Sequence, residues 1–305
     1  MTAGSTLQRS LLFVPATATR FFARARTSGA DAIVLDLEDS IPMADKAAAR
    51  TALAEAVAEL SGGPPLRVRI NADAALLEAD VAVCARLGLT DVVVPKVGSP
   101  ADVIAVRARF QEYSSTEPRL HLLVESCRGL QALERIAQHS GPLGSLAIGL
   151  EDLSAELVLA APSSAAPDDL LWAHGRLLAA ATATAIPPIG LIGDIGNFRD
   201  LERFDGACRR AWRMGYRGTY CIHPDQVAVA NDAYVPGPDD VAWATEVIEA
   251  YRAGEGSGRG AVAVRGAMAD APTAARAARI VDYRDAVEAE RLRRSSTCRR
   301  VLPAT

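Results

Sequence analysis

The chain has 305 residues, half of them hydrophobic, which suits one large domain with an appendage or two modest domains. Its 33 basic and 37 acidic residues give a net charge of −4, so the sequence provides no strong basic field for nucleic acid or an anionic membrane surface. Five scattered cysteines without a CxxC pair, no signal-peptide pattern and no membrane-spanning apolar run predict a cytoplasmic protein without a disulfide framework.

Eight short apolar runs, rich in Val, Ile and Leu, recur along the first 225 residues. They occupy residues 10–15, 32–39, 66–71, 91–96, 120–126, 145–152, 189–194 and 219–224. Ala-rich stretches with helical spacing separate them, at 17–28, 43–60, 74–87, 99–111, 128–139, 168–185 and 199–214. Continuous apolar runs of this length are typical of parallel strands buried on both faces. A doubly wound sheet would also alternate in this way, but eight units favour an α/β fold of the closed (β/α)8 type, a TIM barrel, in which the seventh strand has the weakest pattern.

The pattern changes after His223. Residues 226–252 predict one or two helices interrupted by PGPDD at 236–240, and EGSGRG at 255–260 predicts a flexible loop. A short AVAVRGAMADAP segment and a helix-like Ala/Arg stretch follow. We therefore expect a TIM-barrel catalytic domain over residues 1–225 and a C-terminal helical extension over residues 226–305.

Polar side chains stand at the C-terminal ends of the apolar runs. These residues are Asp36, Glu38, Asp39, Arg69, Asn71, Lys96, Glu125, Glu151, Asp152 and His223. In a TIM barrel the C-terminal strand ends converge on one face, and catalytic residues lie on that face. Residues scattered over about 190 positions of sequence are thus predicted to form one site.

The acidic residues among them predict a metal site. Carboxylates that converge at a barrel mouth repel one another unless a cation neutralises them, although solvated loop carboxylates are the simpler alternative. Oxygen ligands without His or Cys nearby suit Mg²⁺, or Mn²⁺, better than Zn²⁺.

Three other strand-end residues each leave two interpretations open. Arg69 follows a buried strand and must meet an anion, which is either a structural carboxylate or a substrate carboxylate or oxyanion. Lys96 is either a Schiff-base lysine or an ion-pair partner for the acidic residues, and the carboxylate cluster favours the second. His223 either belongs to a turn with a satisfied imidazole or forms a wall of the active site.

The sequence lacks several common nucleotide-binding and hydrolase motifs. There is no GxGxxG after the first strand, no Walker A motif and no GxSxG elbow. Dinucleotide reduction, nucleotide hydrolysis and α/β-hydrolase chemistry are therefore disfavoured.

An ordered set of motifs resembles the citrate lyase β-subunit-like branch of the HpcH/HpaI aldolase family. The motifs are RSLLFVP, LDLEDSIPMADKAAAR, VRIN, VPK, LVES, GLEDL, CIHPDQ and GAMADAP, and they span the chain from Arg9 to about Arg279. The resemblance implies a TIM barrel that assembles as a homotrimer or homohexamer. It also implies a Mg²⁺ ion and cleavage or formation of a carbon–carbon bond in malyl-, citramalyl- or citryl-type coenzyme A thioesters, with a 2-oxo acid as the other small-molecule partner.

The resemblance also implies roles for individual residues. The family's metal ligands fall on Glu125 and Asp152, and Glu125 would thereby contact the substrate. Its substrate-binding and catalytic arginine falls on Arg69. The catalytic aspartate, supplied by a neighbouring subunit's C-terminal segment, falls on Asp270. Asp36, Glu38 and Asp39 fall on positions that hold metal-bound water in the family, and Lys96, interpreted above as an ion-pair partner of the acids, is expected to support them.

The sequence departs from the family pattern at a few places, which leaves the acyl group undetermined. LVES replaces LVET at Ser126, Ile189 stands at the usual aspartate before the seventh strand, and RGAM replaces a GKM-type segment before Asp270. A glycine usual after the EDL segment is missing from residues 154–167.

The preferred hypothesis is a Mg²⁺-dependent carbon–carbon lyase. Three rivals stay open at this stage. The same site could hydrolyse a thioester, in the manner of a malyl-CoA thioesterase; it could act as an aldolase on free 2-oxo acids without coenzyme A; or the chain could be a non-enzymatic subunit of a lyase complex.

Overall fold

The computed structural model describes residues 7–157 and 169–301, with side chains described to residue 294. Contacts divide the chain into a unit formed by Gln8–Tyr234 and a second unit that contains residues 235–301. The expected boundary after residue 225 stays a prediction. Residues 158–168, which include most of the segment lacking the family's glycine, lie outside the described residues.

The first unit is built around eight parallel strands. Their bounds are Ser10–Pro15 (β1), Ala32–Asp36 (β2), Leu66–Arg69 (β3), Asp91–Val94 (β4), Arg119–Val124 (β5), Leu143–Ile148 (β6), Pro188–Ile189 (β7) and Thr219–Cys221 (β8). Their order in the sheet is β7-β6-β5-β4-β3-β2-β1-β8. Alternate residues point to the two faces of a strand, so Leu11, Val34 and Val93 pack inside the barrel while Leu12, Leu35 and Val94 pack against the helices. The TIM-barrel prediction is confirmed.

Helices surround the strands, as the Ala-rich stretches predicted. Their bounds are Phe22–Arg26 (α1), Lys46–Leu60 (α2), Ala74–Arg86 (α3), Pro100–Tyr113 (α4), Cys127–Gln131 (α5), Leu133–His139 (α6), Leu150–Glu156 (α7), Leu171–Ala183 (α8), Leu201–Met214 (α9) and Pro224–Ala233 (α10). Helix α10 packs against α9 and β1 and so belongs with the barrel. The stretch at 128–139 forms two helices, α5 and α6, that break at Ala132.

The barrel is nearly closed between β7 and β8. Strand β7 has two residues and pairs in register with β6 alone among the described strands. Two backbone hydrogen bonds nonetheless cross the seam, from Gly190 N to Gly218 O at 2.8 Å and from Arg217 N to Pro188 O at 3.0 Å. The weak apolar pattern at 189–194 thus corresponds to a strand too short for a regular ladder.

A polar layer fills the interior at the strands' N-terminal ends. His121 on β5 is fully buried, with Nδ1 at 3.1 Å from an Arg67 nitrogen and Nε2 at 3.0 Å from Asp91 Oδ1. Arginine can only donate and an ionised aspartate can only accept, so the imidazole is neutral with its proton on Nε2. Burial, reinforced by the Arg67 charge, lowers the pKa of His121 to about 4.

We expect this layer to make the barrel sensitive to acid. The pKa of His121 falls from 6.5 to about 4 on folding, so between those pH values the unfolded chain binds more protons and the free energy of unfolding must decrease as pH falls. The loss should reach about 3 kcal/mol at pH 4. It can be measured by urea unfolding of wild type and His121→Gln between pH 8 and 4.

The His121→Gln variant should be less stable at pH 8 but lose less stability on acidification. Burial also lowers the pKa of His174 to about 4, so part of the wild-type slope should persist. His139→Gln changes an exposed histidine and serves as the control. An unchanged slope in His121→Gln would show that His121 does not carry the effect.

The second unit consists of two helices and a hairpin. Helix α11 (Pro238–Glu255) precedes strands β9 (Ala261–Val264) and β10 (Ala267–Asp270), which pair antiparallel, and helix α12 (Ala271–Val301) follows. Its own core contains Ala244, Val247, Val264, Ala269 and Ala277. None of the helices described in the structure is long and apolar enough to cross a membrane.

Candidate metal centre and active site

The loop after β2 is folded so that its acidic side chains face the barrel mouth. Asp36 accepts hydrogen bonds from Glu38 N at 2.9 Å and Ser40 N at 3.1 Å. The buried Lys46 ammonium donates to the carbonyls of Leu37 and Glu38 at 2.8 and 2.6 Å. Asn71, a strand-end residue, donates to the same Leu37 carbonyl and thus supports the loop.

Arg69 lies at the centre of the acidic residues. Its Nε and Nη2 each donate to Asp36 at 2.7 Å, and its Nη1 is 3.1 Å from both Glu38 and Asp39. The guanidinium also lies 4.7 Å from the Phe13 ring centroid. The Arg69 hydrogen bonds and charge hold the pKa of Asp36 below its ordinary value despite burial. One edge of the Arg69 guanidinium, Nε and Nη2, therefore pairs with a structural carboxylate, as the first of the two interpretations predicted. The remaining nitrogen, Nη1, is next to the exposed Asp39.

The Lys96 ammonium connects the acidic groups of two strand ends, those of β2 and β6. Its Nζ is 2.9 Å from Glu38, 3.2 Å from Asp39 and 3.6 Å from Asp152. These hydrogen bonds and charges raise the pKa of the ammonium, although burial opposes the shift. A Schiff-base lysine needs a lowered pKa, so the ion-pair interpretation is the one that the geometry favours.

The Lys96 backbone has a second role. Its φ of 54° lies in the left-handed region, which is uncommon for a residue with a side chain. In this conformation its N–H donates to Glu125 Oε2 at 2.8 Å. One residue thus positions Glu125 through its backbone and the other acids through its side chain.

Glu125 is a buried acid that directly follows β5 and lines the cavity. Burial raises its pKa to about 7, and the neighbouring charges of Glu38 and Asp152 act in the same direction. A Cβ atom placed on Gly149 would lie 2.2 Å from Glu125 Oε1, so the glycine makes room for this carboxylate. Glu38 and Asp152 crowd this carboxylate with like charge, and among the described residues the Lys96 amide donates a hydrogen bond to it.

Asp152 and Glu151 occupy the first turn of α7, directly after β6. The Asp152 side chain is 46 % exposed and stays available beyond its Lys96 contact. Burial and the charges of Asp194 and Asp152 raise the pKa of Glu151. The mouth therefore carries a surplus of carboxylate oxygens.

These residues open onto a cavity of about 550 Å³. Asp36, Asp39, Glu125, Glu151 and Asp152 line it, together with Arg69. Within the described residues no group of three or more His, Cys, Asp or Glu side chains forms a ready metal site. Mg²⁺ commonly uses one or two carboxylates and keeps several waters, so Glu125 and Asp152 fit such an ion by number, chemistry and charge.

Two further candidates from the sequence are helix caps in the structure. His223 caps α10, because its Nδ1 accepts from Asp225 N at 3.2 Å, and its ring stacks on Phe198. Asp270 ends β10 in the second unit, where its Oδ1 accepts from Thr273 N at 3.1 Å and Thr273 Oγ1 at 2.8 Å. Asp270 thus caps α12.

Sequence reasoning missed three features of the cavity. The left-handed Lys96 backbone and the clearance at Gly149 depend on atomic contacts that no motif encodes. His174 and Tyr216 also line the cavity, and they come from a helix and a loop separated by 42 residues. The only available signal was Gly149 itself, a glycine between a strand and an acidic helix start.

A parallel eight-stranded barrel with carboxylates at its C-terminal mouth defines a TIM-barrel protein with an acidic mouth. The chain belongs to the HpcH/HpaI aldolase/citrate lyase family, whose pattern matches residues 9–224. The family resemblance inferred from the sequence is confirmed.

Proteins with known names are similar to this chain over most of its length. It is 31 % identical over 306 residues to the L-malyl-CoA/beta-methylmalyl-CoA lyase of Cereibacter sphaeroides, covering 92 % of this chain and 96 % of that one. It is 28 % identical over 291 residues to the mitochondrial citramalyl-CoA lyase of Rattus norvegicus, covering 90 % and 85 %. The crystal structure of CitE from Mycobacterium tuberculosis with magnesium, acetoacetate and coenzyme A is similar at a TM-score of 0.75, with 31 % identity over 92 % of this chain and 98 % of that chain.

Proposed function

We propose that this protein is a Mg²⁺-dependent carbon–carbon lyase that acts on a 3-hydroxy-3-carboxyacyl thioester of coenzyme A. The reaction gives a 2-oxo acid and an acyl thioester, or runs in reverse. The observation that carries the proposal is the placement of Glu125, Asp152 and Arg69 around one cavity at the barrel mouth. The two lyases and the magnesium- and coenzyme A-bound CitE that resemble the chain support it.

Glu125 and Asp152 would hold the Mg²⁺ ion, with Mn²⁺ as a possible substitute. The bound ion supplies Lewis acidity toward the substrate's carboxylate and adjacent hydroxyl or keto oxygen. The Lys96 amide orients Glu125. The Lys96 ammonium pairs with Glu38 and Asp39, so these two carboxylates compete less with Glu125 for the metal ion. These contacts fix the carboxylates before substrate binds, which lowers the cost of reorganisation.

Arg69 stabilises negative charge on the substrate. Asp36 accepts from Nε and Nη2 and so orients the planar fork, and Nη1, which is 3.1 Å from Glu38 and Asp39, would be the nitrogen shared with a substrate oxygen. In the cleavage direction the substrate hydroxyl would give its proton to water, the carbon–oxygen double bond of the 2-oxo acid would form as the carbon–carbon bond breaks, and the electron pair of the broken bond would pass to the thioester as its enolate. Asp270 of a neighbouring subunit, after taking a proton from solvent, would protonate the enolate carbon as a general acid.

A parallel screen of thioesters and free acids tests this function. Purified protein should cleave a malyl- or citramalyl-type thioester in the presence of Mg²⁺, with equal amounts of 2-oxo acid and shorter acyl thioester, and EDTA should abolish the reaction. Free acid with coenzyme A thiol would instead identify a thioesterase. Equal turnover of the free acids would identify an aldolase independent of coenzyme A, and no turnover of either kind would contradict the proposal.

Arg69→Lys should keep the fold and lower turnover by at least about 100-fold, because lysine keeps the charge but not the planar fork. Turnover and thermal unfolding should be measured side by side. Arg109→Lys, at an exposed position of α4, is the matched control. Near-normal turnover of Arg69→Lys would show that Arg69 only pairs with Asp36.

We also propose, from the sequence and the family, a cytoplasmic homotrimer or homohexamer without nucleic-acid or membrane partners. The acyl thioester and the 2-oxo acid would be its small-molecule partners. Light scattering of the purified protein tests the oligomer, and a monomer at working concentrations would contradict it.

A further inference from the structure

The cavity floor beneath Arg69 is an aromatic ring. Phe13 on β1 is partly exposed and lines the cavity. The strand register pairs Pro15 with Asp36, and Asp36 with Arg69. Phe13 comes two residues before Pro15, so it lies on the same interior face, one layer below the mouth. The Arg69 guanidinium carbon is 4.7 Å from the centroid of the Phe13 ring.

The Phe13 ring is supported by the barrel interior. The ring of Tyr220 on β8 stacks on it, with centroids 4.9 Å apart and planes inclined at 23°. The register pairs Tyr220 with Leu11, one interior layer deeper than Phe13. Phe13 also packs against the interior cluster that contains Leu123 and Ile189. Because protein interiors are close-packed, the ring beneath Arg69 has little room to move away.

Asp36 and Phe13 restrain different movements of the guanidinium. The two hydrogen bonds to Asp36, both 2.7 Å long, run along N–H bonds in the guanidinium plane and fix its direction within that plane. They leave both flat faces uncovered. The Phe13 ring covers one face, where a cation is attracted to the electrons of an aromatic ring. The ring also keeps water of the cavity away from that face.

The acids around Arg69 make this restraint important. Nη1 is 3.1 Å from both Glu38 and Asp39, and it is the nitrogen proposed to be shared with a substrate oxygen. If the ring were absent, the guanidinium could tilt into the vacated space and Nη1 would leave its position. A misplacement of about 1 Å in a positioning group can cost about 100-fold in rate.

We propose that Phe13 is a positioning residue for Arg69. Its ring, supported by Tyr220, holds the guanidinium flat so that Nη1 stays in place for the substrate. The consequence for substrate rests on the proposed lyase function, whereas the contact between ring and guanidinium can be measured without a substrate. Leucine at position 13 would fill part of the space but would not attract the cation.

Exchange of the Arg69 Nε proton with water tests the contact directly. In protein labelled with ¹⁵N-arginine, the Arg69 signal is the one that disappears in Arg69→Lys. In Phe13→Leu this proton should exchange at least about fivefold faster than in wild type, because water reaches the uncovered face. Phe13→Tyr keeps the ring and should keep the slow exchange. Phe110→Leu makes the same substitution on the buried side of α4 and should change nothing.

Pyruvate binding to the Mg²⁺-loaded protein, measured by calorimetry, tests the consequence for the site. Phe13→Leu should bind pyruvate at least about fivefold more weakly than wild type, and Phe13→Tyr should restore the affinity. In an Arg69→Lys background, Phe13→Leu should change the affinity by less than about twofold, because lysine has no planar group to stack on the ring.

Unchanged proton exchange in Phe13→Leu, or exchange in Phe13→Tyr as fast as in Phe13→Leu, would overturn the inference. Unchanged pyruvate affinity in Phe13→Leu would also overturn it. An equal loss of affinity in the Arg69→Lys background would do the same, because Phe13 would then act on the ligand and not through Arg69. The expected exchange with neither pyruvate binding nor thioester turnover would leave the contact standing and contradict the lyase function.

Discussion

Glu125→Gln is expected to abolish metal-dependent turnover while leaving the protein folded. Glutamine keeps the shape of the side chain and can still accept the Lys96 amide hydrogen bond of 2.8 Å. It removes the anionic oxygen that a hard cation needs. Loss of a supporting group around a metal costs about 10- to 100-fold, so loss of a direct ligand should cost about 100-fold or more in affinity and activity.

Unfolding measurements separate this effect from damage to the fold. Burial raises the pKa of Glu125 to about 7, so a neutral amide should be tolerated and the metal-free variant should melt at or above the wild-type temperature. Mg²⁺ should raise the melting temperature of wild type, because a ligand that binds only the folded state stabilises it. That increment should vanish in Glu125→Gln and persist in Glu134→Gln, which changes an exposed glutamate paired with Arg176.

If Mg²⁺ raised the melting temperature of Glu125→Gln as much as that of wild type, the ion would bind elsewhere. A large fall in melting temperature without metal would show that Glu125 is needed for folding. The first result would remove Glu125 from the proposed metal site, and the second would contradict the expectation that a neutral amide is tolerated at this position.

Asp270→Asn is expected to lose most turnover without losing the cap of α12. Asp270 accepts two hydrogen bonds from Thr273, and asparagine is as good a helix cap as aspartate. The variant should therefore fold normally but lack the acid that protonates the enolate carbon, lowering turnover by about 100-fold or more. Asp270→Ala removes both roles, so the difference in melting temperature between the two variants measures the cap alone.

Mixing experiments test whether Asp270 acts in a neighbouring subunit. Homomers of Asp270→Ala and of Glu125→Ala should each be nearly inactive. After subunit exchange in an equal mixture, about a quarter of the sites in a symmetric oligomer would combine an intact barrel with an intact Asp270. Demonstrated exchange without any recovery of activity would refute the shared site, and full activity of Asp270→Asn would refute the acid itself.

The barrel could be predicted well from the sequence because each strand and helix of this fold has a recognisable local pattern of apolar and polar residues. Val- and Ile-rich runs such as DVVVPK form β4, and the polar residue that ends each run lies at the mouth for topological reasons. Prediction was poorer at β7, where Pro188–Ile189 forms a strand of two residues, and at 128–139, where the chain breaks into two helices. Segments this short contain too few residues for the periodicity of a strand or a helix to be recognised.

The site residues could likewise be predicted only where local sequence determines their position. Arg69 and the acids around it could be placed from strand ends, because their location follows from the fold. The left-handed Lys96 backbone, the space left by Gly149 and the His174–Tyr216 pair could not, since each depends on contacts between distant segments.

The location of a bound metal ion tests the account most directly. A crystal soaked with Mn²⁺ and measured for anomalous scattering should show one ion at the barrel mouth. The ion should lie within direct reach of both Glu125 and Asp152, about 2.0–2.1 Å in the Mg²⁺ form. An ion bound elsewhere, with water or solvent between these two carboxylates, would contradict the proposed metal centre and the mechanism built on it.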